Sequence, residues 1–485
     1  MECPRAHRDD GRRYAVQSRA VARDRVTTAA ESGFAIAARR LLPLLFVSYI
    51  VAFLDRVNVG FAKLQMASAL GFSDAVYGFG AGIFFFGYFL FEVPSNLLLE
   101  KFGARRWIAR IMFTWAIVSG AFAFVDRIPW GPLPALFGVA PLEFGFYALR
   151  FLLGIAEAGF FPGIILYLTY WFPAARRART VALFMTAVAV ANVIGAPVSG
   201  AIMQYANGLA GWDGWRWLFV LEAIPSIIAG IAIWFLLPDR PAQATWLTPE
   251  QHRAITAQLA QEDTAAHGVA VKSAHKAGHR AAHGATQALR SGRVWVLALV
   301  YLAGTFSLYG VSFWMPTIVQ ELGIGKTEYL QIGLLSMIPW GTAGIVMVWA
   351  GARSDRTGER RQHVAGSLFV AATGLVALVL VGAHVVPALI ALCFVTAGVL
   401  SFLATFWSLP TAFLRQSAAA AGIAWINAVG NLGGHFGPDI IGRIRTATGS
   451  ADYAFLFLAA LAVAGALLTL YGTGVRERFI TTQSA

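Results

Sequence analysis

The sequence predicts an all-α membrane protein with twelve transmembrane helices in two pseudo-symmetric six-helix bundles. The first observation behind this prediction is composition. Hydrophobic residues make up 58% of the 485 residues and charged residues 13%, against about 45–50% and about 25% in soluble proteins. The mean hydropathy is +0.63. Because so little polar surface is available to cover the apolar surface in water, a soluble enzyme and a disordered chain are both excluded.

The second observation is the spacing of apolar stretches. Segments near the roughly 20 residues that cross a bilayer recur along the chain. We number them as the first to twelfth spans. The first bundle, 41–237, is predicted to hold 41–63, 77–99, 105–125, 143–171, 178–204 and 215–237. The second bundle, 294–474, is predicted to hold 294–320, 328–350, 363–384, 387–412, 418–441 and 452–474. A polar linker, 238–293, and two tails, 1–40 and 475–485, remain.

The distribution of Lys and Arg predicts the orientation of the spans. With the termini and linker in the cytoplasm, thirty of the 38 basic residues lie on that side, six lie in the outer loops, and Arg56 and Arg150 lie within spans. This bias is the positive-inside pattern. The net charge of +13 therefore follows topology and does not indicate nucleic-acid binding. Residues 1–40 hold nine Arg and no apolar run long enough for a signal peptide, so the N-terminus is expected in the cytoplasm. The Ala/Arg-rich composition favours a bacterial inner membrane.

Cysteine and histidine positions argue against metal sites and cofactors. Cys3 and Cys393 lie in unlike surroundings, so neither a disulfide nor a cysteine metal site is expected. His275, His279 and His283 have helical spacing that could present one face to a metal. Their setting has no nearby carboxylate, which favours a solvated segment. Neither a glycine-rich phosphate loop nor an HExxH motif is present in the sequence, so a pump or membrane enzyme is not expected.

The two halves repeat one short motif. EKFGARRW follows the second span at 100–107, and GARSDRTGERR follows the eighth at 351–361. Each places an acid, a base, a glycine and further arginines in a short turn at equivalent positions. Such duplication is how secondary transporters are built, with the substrate site at mid-membrane between the repeats.

These motifs resemble a known family. GARSDRTGERR resembles the signature loop of the major facilitator superfamily, and EKFGARR is a looser copy. Six segments resemble the anion:cation symporter family within it, especially permeases for tartrate, phthalate and hydroxyphenylacetate: FLDRVNVGFAKLQM, FEVPSNLLLEKFG, RFLLGIAEAGFFPG, GWRWLFVLEAIP, YGVSFWMPTIV and AWINAVGNLGGHFGP. The similarity covers about residues 40–475. It implies the major facilitator fold and import of a small organic carboxylate with protons by alternating access.

Four ionisable residues inside the spans are the main candidates for this function. A charge at mid-bilayer costs several kcal/mol, so it needs a partner or a role. Arg150 and Glu157 are seven residues apart and share a helix face, whereas Asp55 and Arg56 are adjacent and point about 100° apart. Arg grips carboxylates with a planar fork. Together with the resemblance, this suggests that Arg56 and Arg150 bind the substrate and that Asp55 and Glu157 carry protons.

Structural ion pairs, Asp55–Arg56 and Arg150–Glu157, remain the alternative for these four residues. Glu92 and Glu222 also lie within spans, and structural roles are expected for both. Family pattern adds polar and aromatic candidates for substrate binding: Tyr88, Asn192, Tyr309, Trp407, Asn427 and Asn431. Asparagines also bond between membrane helices, which leaves a structural alternative for them.

The surroundings of Trp407 bear on the substrate. Ala404 and Phe406 stand where hydroxyl residues are typical of sugar-acid carriers in the family. A more apolar pocket favours an aromatic or short aliphatic acid over a polyhydroxylated one. The predicted substrate is therefore an aromatic acid or a short dicarboxylic or hydroxy acid.

Two further features concern conformational change. The fifth span contains GAPVSG at 195–200, where Pro197 predicts a bend. A similar pattern is linked with antiporters of the superfamily, so an organic anion exchanger is the alternative function. The signature-loop residues are expected to hold the halves together on the cytoplasmic side and to separate during transport: Glu100, Gly103, Arg105, Arg106, Gly351, Asp355, Arg356, Gly358, Arg360 and Arg361. A monomer is expected to be functional.

Overall fold

The computed structural model describes residues 7–274, 290–413 and 417–472. Within these ranges all regular structure is helical. Cys3 and the three linker histidines, His275, His279 and His283, lie outside the described residues, so the prediction made for them is not tested.

The first half begins with two helices that together form the first span. The helices of the first half are His7–Val57 and Val59–Leu70 (first span), Asp74–Phe102 (second), Ala104–Ala121 (third), Pro141–Glu157 and Phe160–Thr169 (fourth), Ala174–Tyr205 (fifth) and Gly214–Leu236 (sixth). Short turns at Phe122–Phe124, Leu133–Leu136, Leu209–Gly211 and Pro241–Gln243 lie between them.

The second half follows a linker helix, Pro249–Ala274. Its helices are Gly292–Gln320 (seventh span), Tyr329–Thr357 (eighth), Arg360–Val381 (ninth), Val385–Phe406 and Ser408–Phe413 (tenth), Ser417–Thr448 (eleventh) and Asp452–Leu467 (twelfth), with a π-helical turn at Leu468–Gly472.

Eleven helices in the described ranges are long and apolar enough to cross a membrane. Ser417–Thr448, the predicted eleventh span, is not among them, although it has 32 residues. Polar side chains such as Asn427, Asn431, His435 and Asp439 lower its hydropathy. The helix packs against the seventh and second spans, so these side chains can face protein. The arrangement is the predicted twelve-helix fold in two six-helix bundles.

The first helix starts well before the predicted span. It begins at His7, and one face of it is buried before the predicted span, at Ala30, Phe34 and Ala37. These three residues follow an i, i+4, i+7 pattern that forms one apolar face. This part of the helix packs on the linker helix near Ile255, so it is not a free tail.

Two spans are interrupted beside the charged candidates. The first span breaks at Asn58, two residues after Arg56, and the fourth span breaks after Glu157. Gly159 has a φ of +82°, a conformation that glycine adopts without strain. Irregular backbone at membrane depth is tolerated where protein surrounds it. The breaks therefore place both charges at helix ends inside the bundle.

The halves meet closely at one end of the bundle. Gly78 of the second span lies against Pro438 and Asp439, and Gly333 of the eighth lies against Ala196. Glycines at such points let two backbones approach. We call this the closed end, formed by residues 59–80, 196–205, 312–333 and 435–448.

We expect Gly154→Ala to lower the unfolding temperature of the purified protein. A Cβ at Gly154 would lie 2.9 Å from the backbone nitrogen of Tyr88 in the second span, and overpacking costs about 1–3 kcal/mol. Gly366→Ala is the matched control, because a Cβ there meets no atom within 4 Å. Thermal unfolding in detergent measures both. Equal unfolding temperatures would contradict the tight contact between the second and fourth spans.

Candidate functional site

A buried ion pair lies at the centre of the first half. The Arg56 guanidinium donates through Nη2 to Glu157 Oε1. The residues are only 9% and 2% exposed. Neither pair left open by the sequence, Asp55–Arg56 or Arg150–Glu157, occurs among the ion pairs of the described residues. The first and fourth spans are thus joined by one cation and one anion, which the surrounding protein must keep together.

Aromatic residues surround Arg56. Its guanidinium carbon lies 5.2 Å from the ring centroid of Phe84 and 5.6 Å from that of Tyr88. From the second half, Tyr309 Oη accepts a 3.4 Å hydrogen bond from Arg56 Nη1. The buried Arg56 Nε has no hydrogen-bond partner. The structure therefore brings Arg56, Glu157, Tyr88 and Tyr309 together, and the guanidinium retains a free donor. We call these four residues and Phe84 the central cluster.

Arg150 lies beside the central cluster but is bonded elsewhere. Its Nε donates to Gly80 O at 3.2 Å and its Nη2 to Ala81 O at 2.8 Å. The guanidinium carbon is 5.2 Å from the ring centroid of Phe84, so both arginines share this ring. The residue is 1% exposed. In this conformation Arg150 joins the fourth span to the second.

Asp55 points away from Arg56, as expected for adjacent helical residues. Its carboxylate accepts hydrogen bonds from Trp115 Nε1 and Ser119 Oγ, both at 2.9 Å, and from Ser226 Oγ at 2.5 Å. These donors belong to the third and sixth spans. With three donors the buried carboxylate is well satisfied. The structure does not bring Asp55 into the central cluster, and its predicted proton-carrying role is untested.

The other substrate candidates are dispersed. Asn427 Nδ2 donates to Glu92 Oε1 at 3.2 Å, which joins the second span to the eleventh. Asn192 Nδ2 donates to Val188 O on its own helix at 2.8 Å. The Trp407 ring packs 4.9 Å from that of Tyr301, while Asn431 is half-buried. Glu92, for which a structural role was expected, therefore contacts the other half.

The signature loops make contacts within their own halves or with the start of the linker. The Arg105 backbone nitrogen donates to Asp239 Oδ1 at 2.8 Å, two residues after Gly103, whose φ is +87°. Arg360 donates to Ser408 O at 3.3 Å, and Arg361 donates to Leu470 O. The remaining loop candidates are exposed, apart from the half-buried Gly351: Glu100, Arg106, Asp355, Arg356 and Gly358.

The hydrogen bonds that join the halves in the described ranges lie elsewhere, at mid-depth or at the closed end. The predicted contacts between the signature loops of the two halves are therefore not formed in this conformation.

A charge cluster at the closed end was missed by the sequence analysis. Asp74 accepts from Lys63 Nζ at 2.8 Å and from Arg445 Nε at 3.0 Å. Arg445 also pairs with Glu321 of its own half, at 2.5 Å and 3.0 Å. Lys63 Nζ lies 4.1 Å above the Trp314 ring. We call Lys63, Asp74, Glu321 and Arg445 the closed-end charge cluster. Asp74 and Arg445 are 371 positions apart, so no local pattern reveals their pairing.

A separate ion pair lies in the loop after the third span. Arg216 donates to both carboxylate oxygens of Asp126, at 2.8 Å and 2.9 Å. These hydrogen bonds hold the pKa of Asp126 below its usual range. The pair joins this loop to the start of the sixth span and does not reach the second half.

Comparison with known proteins identifies relatives along almost the whole chain. The family model of the Major Facilitator Superfamily matches residues 45–438. An Agrobacterium vitis protein, provisionally named a tartrate transporter, is 46% identical over 92% of both chains. A quinolone resistance transporter of Acinetobacter baumannii is 40% identical over 89% of this chain and 92% of its own. Among solved structures, a D-xylose–proton symporter superposes with a TM-score of 0.65 at 16% identity, covering 89% of this chain and 97% of that one.

We expect Asp74→Asn to open the closed end, because it removes the carboxylate shared by Lys63 and Arg445. The reporter is Ala196→Cys, at a position 6% exposed, after Cys3 and Cys393 are replaced by Ser. Labelling by a thiol reagent in detergent should become about tenfold faster. A tenfold change corresponds to a loss of about 1.4 kcal/mol in the stability of the closed state.

Asp439→Asn is the matched control for this measurement. Its carboxylate pairs with Arg443 four residues along the same helix, so this ion pair does not connect the two halves. If Asp74→Asn and Asp439→Asn label at the same rate, the charge cluster does not hold the closed end together.

Proposed function

The chain belongs to the Major Facilitator Superfamily, and from this we propose that it imports a small organic carboxylate together with protons. It is a multi-pass membrane protein of a transporter family. A relative at 46% identity is named for tartrate, a hydroxylated dicarboxylate. The observation that carries the proposal is the buried ion pair between Arg56 and Glu157, because it offers one cation for which a substrate carboxylate and a protein carboxylate compete.

Charge balance couples the proton to the substrate. The Arg56 guanidinium is balanced by one nearby anion, and a second anion beside it is costly in a poorly hydrated site. When a substrate carboxylate binds Arg56, Glu157 loses its partner and takes up a proton. When the substrate leaves, Glu157 releases the proton and re-forms the ion pair. Substrate and proton therefore bind together at this pair.

Neighbouring side chains would orient the substrate. Arg56 has an unused donor at Nε, and the Tyr88 ring and the Tyr309 hydroxyl lie beside its guanidinium. Arg150 lies across the Phe84 ring and contributes a second positive charge. Aromatic walls at Phe84 suit an aromatic acid or a short dicarboxylic or hydroxy acid. We assign Asn192, Trp407, Asn427 and Asn431 to later contacts with the substrate, after the halves have moved.

Orientation follows from the basic residues. By the predicted topology, thirty of the 38 Lys and Arg residues lie on the side of the signature loops. We assign this side to the cytoplasm, together with both termini and the linker. The closed end then faces outward, and this conformation is inward-facing. In the outward-facing state the closed-end charge cluster separates and the signature loops meet. We propose a bacterial inner-membrane location and function as a monomer. The proposed divisions are an N-terminal tail, the first bundle, the linker, the second bundle and a C-terminal tail, at 1–40, 41–237, 238–293, 294–474 and 475–485.

Anion exchange is the second candidate. The fifth-span motif lies in the contact between the halves, with Gly200 against Tyr329 and Ala196 against Gly333. This is the position at which a Gly-Pro bend would influence alternation. An exchanger needs a counter-anion on the opposite side and no proton gradient.

Proteoliposome uptake should separate the two functions. We expect one acid in a panel of aromatic monocarboxylates, phthalate-like diacids, tartrate and sugar acids to accumulate when the outside is made acidic. Accumulation should collapse when a protonophore dissipates the gradient. Uptake that requires an internal anion and ignores the pH gradient would instead identify exchange.

Glu157→Gln should uncouple transport. The neutral amide leaves Arg56 free, so the variant should bind the transported acid as well as the wild type does or better, with an affinity that no longer depends on pH. Exchange of labelled for unlabelled acid should persist, while proton-driven accumulation is lost. Glu143→Gln, at the start of the same helix, is the control. Full accumulation by Glu157→Gln would refute the proposed coupling.

Arg56→Lys should weaken binding of the acid at least tenfold. Lysine keeps the charge but loses the planar fork that holds a carboxylate with two hydrogen bonds. The dissociation constant, measured by calorimetry, tests this, with Arg443→Lys as the control on an arginine that pairs within its own helix. Unchanged affinity would exclude Arg56 as the carboxylate ligand.

A further inference from the structure

A second polar site lies between the halves, apart from the central cluster. It is a small cavity of about 20 Å³, large enough for a water molecule. The first and fifth spans line it with Asn58, Asn192 and Ser199, and the seventh and eighth spans with Ser312 and Ser336. The cavity is too small for an organic anion. Its walls are mainly apolar, but the five polar side chains among them can bond to water or to a proton-carrying group.

Buried polar atoms without partners collect at this cavity. Both amide atoms of Asn58 and the hydroxyl of Ser336 lack a hydrogen bond, although these residues are 2% and 1% exposed. Behind Ser199 lies Glu222, which is 6% exposed and whose Oε2 is also unpaired. Ser199 Oγ donates to the other oxygen, Oε1, at 2.6 Å. Unsatisfied buried groups are rare, and several around one cavity indicate a functional reason.

Glu222 has no cationic partner. None of the ion pairs in the described ranges includes it, in contrast to Glu157. The group that faces it is the Asn58 amide, and the titratable group that acts on it is Asp55 of the first span. Asp55 itself is held by Trp115, Ser119 and Ser226. A buried carboxyl group with another carboxyl nearby and no cation is stable in its neutral, protonated form.

We propose that Glu222 is a second proton-binding site, which holds its proton while the closed end is shut. Asn58 suits this role because its amide has both an acceptor and donors. When Glu222 is protonated, its hydroxyl donates to Asn58 Oδ1. When Glu222 is ionised, the amide turns and Asn58 Nδ2 donates to the carboxylate. One partner can therefore bond to Glu222 in both states, and the other end of the amide is left to the cavity that Asn58 lines.

The position of the cavity links the proton to conformational change. Its walls come from both halves, and one wall residue, Ala196, contacts Gly333 at the closed end. When the closed end opens, Ser312 and Ser336 move away with the second half, and water reaches Glu222. Water stabilises the ionised carboxylate, so the open form binds the proton less tightly. By linkage, the closed end shuts more readily as pH falls and opens more readily as pH rises.

Infrared spectroscopy of the substrate-free protein tests the proton directly. We expect a carbonyl-stretch band of a protonated carboxyl group at neutral pH, lost in Glu222→Gln and retained in Glu157→Gln. Asn58→Ala should shift the band, since it removes the hydrogen-bond acceptor of the acid. This variant and Ser199→Ala keep the test informative if Glu222→Gln does not fold. A band that is unchanged in all the Glu222, Asn58 and Ser199 variants overturns the proposal.

Thiol labelling at Ala196→Cys tests the coupling to conformation. Cys3 and Cys393 are replaced, so the cysteine at 196 is the single thiol. Because the thiolate is the reactive form, each rate is divided by the rate of the same reagent with free cysteine at that pH. The corrected rate should rise about tenfold as pH rises through the range in which the infrared band disappears. In Glu222→Gln the corrected rate should stay low and constant. An equally pH-dependent rate in Glu222→Gln overturns the link. The inference rests on the proposed proton symport, but neither measurement uses a substrate. Proton binding at Glu222 can therefore be refuted while coupling at Glu157 stands, and coupling at Glu157 can be refuted while proton binding at Glu222 stands.

Discussion

The cost of keeping a charge inside the bilayer is the constraint on which this structure depends. Arg56 lies at membrane depth and is stable there because Glu157 supplies one negative charge. The break after Glu157 and the break at Asn58 place the two side chains at helix ends, where they can meet. Aromatic rings around Arg56 exclude water and strengthen the interaction. A site with one cation and one exchangeable anion follows from this arrangement.

The same constraint explains the different surroundings of the other intramembrane charges. Arg150 is bonded to two backbone carbonyls, Asp55 accepts three hydrogen bonds, and Glu222 has one hydrogen bond and an amide beside it. Backbone dipoles thus stabilise Arg150, hydrogen-bond donors stabilise Asp55, and a bound proton is the means proposed for Glu222. The groups with the fewest fixed partners are the ones that can change partner or protonation state during transport.

Contacts between the halves are unequal at the two ends. At the closed end, glycines bring backbones together, and Lys63 and Arg445 of the charge cluster lie over the Trp314 ring. At the opposite end the signature loops bond within their own halves or to Asp239 at the start of the linker. The side chains of Asp74 and Glu321 in the charge cluster are 28% and 49% exposed, so water can stabilise these carboxylates when the end opens. The strength of the closed-end contact is therefore suited to reversible opening.

The sequence by itself determined the fold class and the family, and both predictions are confirmed. It could do so because span length, hydropathy and short motifs are local properties of the chain. It also selected Arg56 and Glu157 as candidates, since a charge inside an apolar run stands out without a structure. The apolar face at Ala30, Phe34 and Ala37 was visible in the same way, although the predicted first span begins after it.

The tertiary structure alone decided which charges are partners. Arg56 pairs with a residue 101 positions away, and Asp74 with one 371 positions away. The adjacent pairing Asp55–Arg56 fails because neighbouring helical residues point about 100° apart. The cavity at Asn58 and Glu222 is built from both halves, so no local pattern contains it. Partner choice depends on how helices pack and where they break, and those distances exist only in the folded chain.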